Sequence, residues 1–253
     1  MLGQRLNLYD LITFPDRVTR DALRKQYPAI SELSQIRTNL DGKYTGEQPI
    51  EIVMDYPVTI RRRIEELNQR IFILPIATFQ ILESYKQIKE TDCSDKARYI
   101  EELFFYYSEV ATYFLHSAFE KSLSIFNEVF EFHINSGIGS IKQISKRIGI
   151  LALSEPIARE VALKLKTIQD NKAYQDLQIY RNNSVHNVSD SRSALINQRE
   201  ENGVIVTKLK KSKSKEMIME MLLKCIELLG DYTKFIDRIL EKYYDGIALG
   251  QNE

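Results

Sequence analysis

The stretch from Ser94 to Phe132 constrains the fold more than any other part of the chain. It contains no proline or glycine, and Ser94 is a suitable N-cap at its start. Apolar residues recur along it at helical spacing and cover more than half of the helix circumference. Because so wide an apolar face must be covered on more than one side, the stretch predicts a helix at the centre of a bundle or in a subunit interface. At about 1.5 Å per residue it would reach nearly 60 Å, a length that leaves room for a break.

Three other stretches, residues 56–88, 154–180 and 214–244, show the same periodicity. In the first, Pro75 removes one backbone hydrogen bond, which predicts a kink or two abutting helices. The second is expected to break near Asp170-Asn171. Together these stretches predict an all-α protein with two or three long helices and little sheet. A strand fragment is expected at 204–206, and the polar residues 188–202 are expected to form a loop.

The first 50 residues differ from the rest and predict short elements. Asp16 can cap a helix that ends near Gln26, before the proline at position 28. A second short helix is expected over 29–39, a loop over 41–46 and a short strand over 50–54. We therefore divide the chain into an N-terminal extension of short elements (1–55), a helical domain (56–245) and a flexible tail (246–253).

Charge and cysteine content narrow the classes of protein that the chain can belong to. Lys plus Arg and Asp plus Glu both number 35, which argues against a general nucleic-acid coat protein but allows a local basic patch. The two cysteines, Cys93 and Cys225, form neither a zinc motif nor a disulfide framework. No apolar signal core or membrane span is evident, so we expect a cytoplasmic protein without a metal or cofactor.

One short segment carries the residue types of a catalytic site. It reads Tyr180-Arg181-Asn182-Asn183-Ser184-Val185-His186-Asn187, in a chain with three histidines. Histidine suits proton transfer near neutral pH, arginine offers a planar set of donors to phosphate oxygens, and Asn182 can orient either group or bind phosphate. Five residues apart, Arg181 and His186 would point about 140° away from each other on an ideal helix. We therefore expect the chain to bend between them, at Asn182-Asn183-Ser184.

The octapeptide, within a chain of long helices, resembles the HEPN superfamily, whose motif is arginine, a polar residue, a short spacer and histidine. The resemblance implies an all-α bundle of long antiparallel helices. Many members are metal-independent ribonucleases that work as dimers, which implies a homodimer with Arg181, Asn182 and His186 at or near the subunit interface. Some toxin members carry a tyrosine two residues after the histidine, where this chain has Val188.

Two further groups of residues are candidates for supporting roles. Five lysines follow the motif, and they either form a solvated loop or contact an RNA backbone: Lys208, Lys210, Lys211, Lys213 and Lys215. His116 and Glu120 lie one turn apart on the central helix and are either a second acid–base pair or ordinary boundary residues.

Three functions compete for this sequence. The first is a metal-independent endoribonuclease acting on single-stranded or loop RNA, in a toxin or phage-defence system with an antitoxin as a further partner. The second is a non-catalytic module that binds a nucleotide or RNA in the same cleft. In the third, an all-α interaction protein without a site, Arg181 pairs with an acid, Asn182 and Asn183 cap a helix, and His186 is a boundary residue.

Overall fold

The computed structural model describes residues 15–36, 56–91, 94–135, 137, 139–186, 196–201, 204–209 and 213–250. Over these residues the chain forms eight helices and one β-hairpin. The elements are α1 Arg17–Gln26, α2 Pro28–Glu32, α3 Val58–Glu90, α4 Ser94–Val129, α5 Ser140–Leu151, α6 Pro156–Asp170, α7 Lys172–His186, β1 Ile196–Glu201, β2 Val204–Leu209 and α8 Lys215–Gly250. The prediction of an all-α protein built on long helices is confirmed.

Helix α4 is the centre of the bundle. It packs along α3 over most of its length and also contacts α5, α7 and α8. Its apolar residues, including Phe104, Leu115 and Phe126, are buried within the single chain. The prediction that α4 is covered on more than one side is therefore confirmed, and the helix shows no break. It ends at Val129, just before Glu131 and His133, which both have left-handed backbone angles.

Helix α3 runs through Pro75 as one element, so the alternative of two abutting helices is wrong. Tertiary packing outweighs the missing hydrogen bond, because the helix buries Ile71, Leu74 and Ala77 on both sides of the proline. The expected break at Asp170-Asn171 is confirmed, since α6 ends at Asp170 and α7 begins at Lys172.

The N-terminal segment packs against the bundle. Asp16 caps α1 as expected, through a 2.7 Å hydrogen bond that Thr19 N donates to its carboxylate. Helix α2 ends at Glu32, earlier than expected, and its Ile30 packs on α3. The carboxamide of Asn68 on α3 then accepts from Ile36 N at 2.9 Å and donates to Ile36 O at 2.8 Å. This pair of hydrogen bonds fixes an extended residue against the core.

The β-hairpin corrects one prediction. Residues 196–201, expected to belong to a loop, form β1 and pair antiparallel with β2 in the register Ile196↔Leu209 and Glu201↔Val204. Asn202-Gly203, a strong hairpin-turn dipeptide, was the sequence signal for this pairing. The expected strand at 204–206 is confirmed as part of β2. The loop at 41–46 and the strand at 50–54 lie outside the described residues.

The C-terminal helix is longer than predicted, because α8 continues to Gly250 and includes residues 246–250 of the expected tail. Its Cys225 is a buried free thiol whose pKa is raised by burial to about 12. None of the described helices is apolar over enough of its length to span a membrane.

Candidate functional site

Helix α7 presents the motif and is fixed to the bundle at its first turn. Asn171 caps it by accepting hydrogen bonds from Ala173 N at 2.9 Å and Tyr174 N at 3.4 Å. Along the helix, Tyr174, Leu177 and Tyr180 are buried in the core. Arg181 and Asn182 follow this buried face directly, so their side chains leave the helix at the boundary between core and solvent.

The expected bend between Arg181 and His186 is wrong. Helix α7 continues through Asn182-Asn183-Ser184 to His186. Packing of the buried face holds the helix, and the weak preference of short polar side chains for bends does not overcome it. On this backbone Asn182 and His186 lie one turn apart on the same helix face, whereas Arg181 lies about 140° away from His186.

The Arg181 side chain reaches toward that shared face. Its Nη1 donates a 3.3 Å hydrogen bond to Oδ1 of Asn182. Arg181 as a whole residue is half-buried, and Asn182 is exposed. This bond places the Arg181 guanidinium beside the Asn182 carboxamide.

Helix α4 adds a second polar pair beside the motif. Nδ1 of His116 lies 3.5 Å from Oε2 of Glu120, with the imidazole only 12% exposed and the carboxylate 43% exposed. The pKa of Glu120 is lowered, chiefly by its hydrogen bond with His116, against an opposing effect of burial and with further help from the charges of His116, Arg181 and Lys121. The positive charge of Arg181 is thus one of the smaller contributions that lower the pKa of Glu120.

The side chains of His116, Arg181 and Asn182 have different chemical properties. When His116 Nδ1 carries the proton that faces Glu120, its Nε2 is left as a proton acceptor. Arg181 supplies a permanent positive charge, and Asn182 supplies both a donor and an acceptor. An imidazole, a permanently charged guanidinium and a carboxamide therefore lie at one junction of α4 and α7.

Sequence analysis did not single out Tyr174 and Gln178, which border the same junction. The pKa of Tyr174 is raised mainly by burial, with a contribution from the negative charge of Glu120, while Gln178 acts in the opposite direction. The signal was present in the spacing, because positions 174, 178 and 182 recur every four residues and so share one face of α7.

The five lysines that follow the motif do not share one environment. Lys213 lies 3.5 Å from the Asp176 carboxylate, and Lys215 lies 2.5 Å from the Glu101 carboxylate. Both lysines are thus ion-paired at the start of α8 and help to anchor it to α7 and α4. Lys208 belongs to β2, while Lys210 and Lys211 lie outside the described residues.

The described residues contain no group of three or more histidine, cysteine, aspartate or glutamate side chains that could hold a metal ion.

Comparison with known protein families shows the family to which the chain belongs. A family model for Cthe2314-like HEPN domains matches residues 56–234, which is most of the sequence. The chain belongs to the HEPN superfamily. The matched region extends from the start of α3 into α8 and includes Arg181, Asn182 and His186 of this HEPN protein. No curated protein and no solved structure matches the chain.

Proposed function

We propose that this HEPN protein is a metal-independent endoribonuclease that cleaves single-stranded or loop RNA, as a toxin or phage-defence component. The observation that carries the proposal is the junction of α7 with α4. There Arg181 is hydrogen-bonded to Asn182, one helical turn before His186, and is electrostatically linked to the His116–Glu120 pair. HEPN domains commonly dimerise and bind RNA, which agrees with a site of this composition.

The chemistry follows from these groups. A base removes the proton from a ribose 2′-hydroxyl, and the 2′-oxygen then attacks the adjacent phosphorus. The bond to the 5′-oxygen breaks, an acid protonates that oxygen, and a 2′,3′-cyclic phosphate remains. Arg181 stabilises the negative charge on the phosphorus oxygens, Asn182 orients the phosphate, and His186 transfers a proton.

One histidine cannot easily serve as both acid and base in a single step, so a second proton-transfer group is needed. In the proposed homodimer, His186 of a second copy supplies it. Within one chain, His116 is the other candidate, because Glu120 already orients its imidazole. Cleavage by a His116→Ala variant separates these two sources, because its loss would favour His116 and its retention would favour His186 of the second copy.

A specific surface of α4 supports the homodimer. The broad apolar face that suggested dimerisation is mostly covered within the chain, yet Tyr106 and Tyr113 remain 54% and 57% exposed. Glu120 lies a further seven residues along, and residues seven apart fall on nearly the same side of a helix. On the adjoining α3, Phe72 is 64% exposed. A second copy bound to this surface would lie beside the His116–Glu120 pair.

A non-catalytic nucleotide- or RNA-binding module is the second candidate function. It is favoured by one observation, the unbroken course of helix α7, on whose backbone Arg181 and His186 lie about 140° apart. Such a module needs a cation and an amide for phosphate but no proton-transfer group.

Incubation of the purified protein with end-labelled RNA in EDTA tests the proposal. We expect cleavage products that end in 2′,3′-cyclic phosphate, formed without added metal. If the protein binds RNA but does not cleave it, the nuclease proposal is wrong and the non-catalytic binding module is favoured. Analytical ultracentrifugation of the same sample should show a dimer at micromolar concentration, and Tyr113→Glu should shift it to monomer, because it places a carboxylate in the proposed contact.

A further inference from the structure

A cavity of about 530 Å³ opens beside the motif, among α4, α5, α6, α7 and α8. Three aromatic rings line one side of it. Phe119 and Tyr174 meet edge to face with their centroids 4.9 Å apart, and Phe119 stacks on Tyr232 at 6.1 Å. A hydrogen bond between Ser122 Oγ and the Tyr232 hydroxyl holds this last ring in place. The cavity therefore has a fixed aromatic wall of the kind that binds flat, uncharged rings.

The polar side chains that line this cavity are suited to an uncharged heterocycle. They are Lys142 and Ser145 from α5, Gln169 from α6 and Gln178 from α7. Each glutamine amide offers both a donor and an acceptor, and Lys142 is the single charged residue in the lining. No carboxylate lines this cavity, so a ligand attached to a phosphodiester chain meets no like charge there.

A second cavity of about 550 Å³, at the other end of α7, has the opposite character. Four carboxylate residues line it, namely Asp176, Glu220, Glu227 and Asp231. Although lysines also line it, Lys213 is paired with Asp176 and Lys224 with Glu220. Charge complementarity therefore favours the first cavity over the second for any part of an RNA strand.

The position of the aromatic cavity relative to the motif adds a distance argument. Gln178, in its lining, precedes Arg181 by three residues, which is a rise of about 4.5 Å along a helix. Tyr174, also in the lining, is within electrostatic reach of Glu120. A base and its phosphate are separated by one ribose, so a phosphate at Arg181 would leave its base within reach of the cavity.

We propose that this cavity binds an unpaired nucleobase of the RNA strand whose phosphate contacts Arg181. The inference deepens the proposed function and rests on it for the identity of the polymer. It also supplies a physical reason for preferring single-stranded RNA, because a base must leave its duplex and its stack before it can enter the cavity. Hydrogen bonds from the glutamine amides and contact with the aromatic wall would hold it.

Small ligands test the cavity separately from cleavage. The affinities of the full chain for the four ribonucleoside 5′-monophosphates and for ribose 5-phosphate are measured by calorimetry at low salt. We expect at least one mononucleotide to bind about tenfold more tightly than ribose 5-phosphate, because only the nucleotide fills the cavity. Gln178→Ala should remove most of this advantage, an effect of the size expected for one lost hydrogen bond. Gln175→Ala, on the exposed side of the same helix, should preserve it.

The outcomes separate the cavity from the nuclease. Equal affinity for ribose 5-phosphate and all four nucleotides would overturn the base-binding cavity, even if RNA is cleaved. An equal loss of base preference in Gln178→Ala and Gln175→Ala would also overturn it. Base preference that depends on Gln178, in a protein that does not cleave RNA, would support the cavity and refute the nuclease. Because the comparison of ligands uses the unmodified chain, it does not depend on the folding of any variant.

Discussion

The two ends of α7 carry similar residue types and use them differently. At the N-terminal end, Asp176 pairs with Lys172 at 3.1 Å and with Lys213 at 3.5 Å, in an acid-rich surrounding. At the C-terminal end, Arg181 binds the neutral Asn182 and lies beside a cavity without carboxylates. The first arrangement ties α7 to α8, whereas in the second the guanidinium is bonded to a neutral amide and acts on the Glu120 carboxylate only through its charge. Charged residues on one helix thus differ in role according to what surrounds them.

The strongest test of this contrast is His186→Ala, at the C-terminal end. If His186 transfers a proton, RNA cleavage should fall by at least ~100-fold, the lower end for loss of a general acid–base. The matched control is His133→Asn, because His133 is exposed and has a left-handed backbone angle that asparagine tolerates. Cleavage and thermal stability are measured together for each variant. Full cleavage by His186→Ala, or a loss that follows melting of the fold, would contradict the assignment.

Arg181→Lys should have the next largest effect, a loss of about tenfold or more in cleavage. Lysine keeps the positive charge but loses the planar donor array that contacts two phosphate oxygens. Lys172→Arg makes the reciprocal exchange at the N-terminal end and should leave cleavage unchanged. If the two exchanges have equal effects on the single-turnover rate, the two ends do not differ in function.

The divided lysine run predicts a smaller effect on RNA binding. Replacing Lys208, Lys210 and Lys211 together by alanine should lower the slope of log affinity against log salt by up to about 2, at ~0.7 per phosphate contact on single strands. Lys213→Ala and Lys215→Ala should change this slope less, because both lysines already neutralise carboxylates. A salt titration of RNA binding measures the slope for each variant. If all five lysines had equal effects on the slope, the whole run from Lys208 to Lys215 would contact RNA.

At the N-terminal end, Asp176→Asn should cost about 1 kcal/mol of unfolding free energy and leave the cleavage rate of the folded protein unchanged. The estimate is at the upper end for a partly exposed ion pair, since Asp176 contacts two lysines. Urea denaturation measures the first quantity, and a single-turnover assay measures the second. A large loss of cleavage in a fully folded variant would mean that this end also contributes to the site.

The smallest effect concerns the pH dependence of stability at Glu120. Because its pKa in the folded protein is below the ordinary value of 4.5, the ionised carboxylate stabilises the fold above that pH. This stabilisation should be lost as the pH falls through the folded pKa. Melting temperatures of the wild-type protein and Glu120→Gln should therefore differ near neutral pH and converge in acid. Parallel curves over the whole range would show that the His116–Glu120 contact does not favour ionisation.

The sequence was sufficient for the elements that depend on local periodicity. The apolar spacing in residues 94–132 identified α4, and Asp170-Asn171 identified the start of α7. The course of the motif was not predictable in this way. Its asparagines and serine favour a bend locally, but Tyr174, Leu177 and Tyr180 bury the preceding turns and hold the helix straight. The partners of Lys213 and Lys215 were also beyond sequence reasoning, because Asp176 and Glu101 are distant in the chain and only tertiary packing brings them near.

The contact between α2 and α8 can form only late in the synthesis of this chain. Asn68 can secure Ile36 soon after both have been made, but Ile30 packs beside Met219 and Leu223, and Glu32 pairs with Lys234. The first residue of α8 follows Ile36 by 179 positions, which takes roughly 10 to 35 s at ~5–20 residues per second. The apolar side of α2 is therefore fully covered only after this part of α8 has been synthesised. A polypeptide terminated before α8 would leave uncovered the part of that surface that packs beside Met219 and Leu223, and this part would be open to proteolysis.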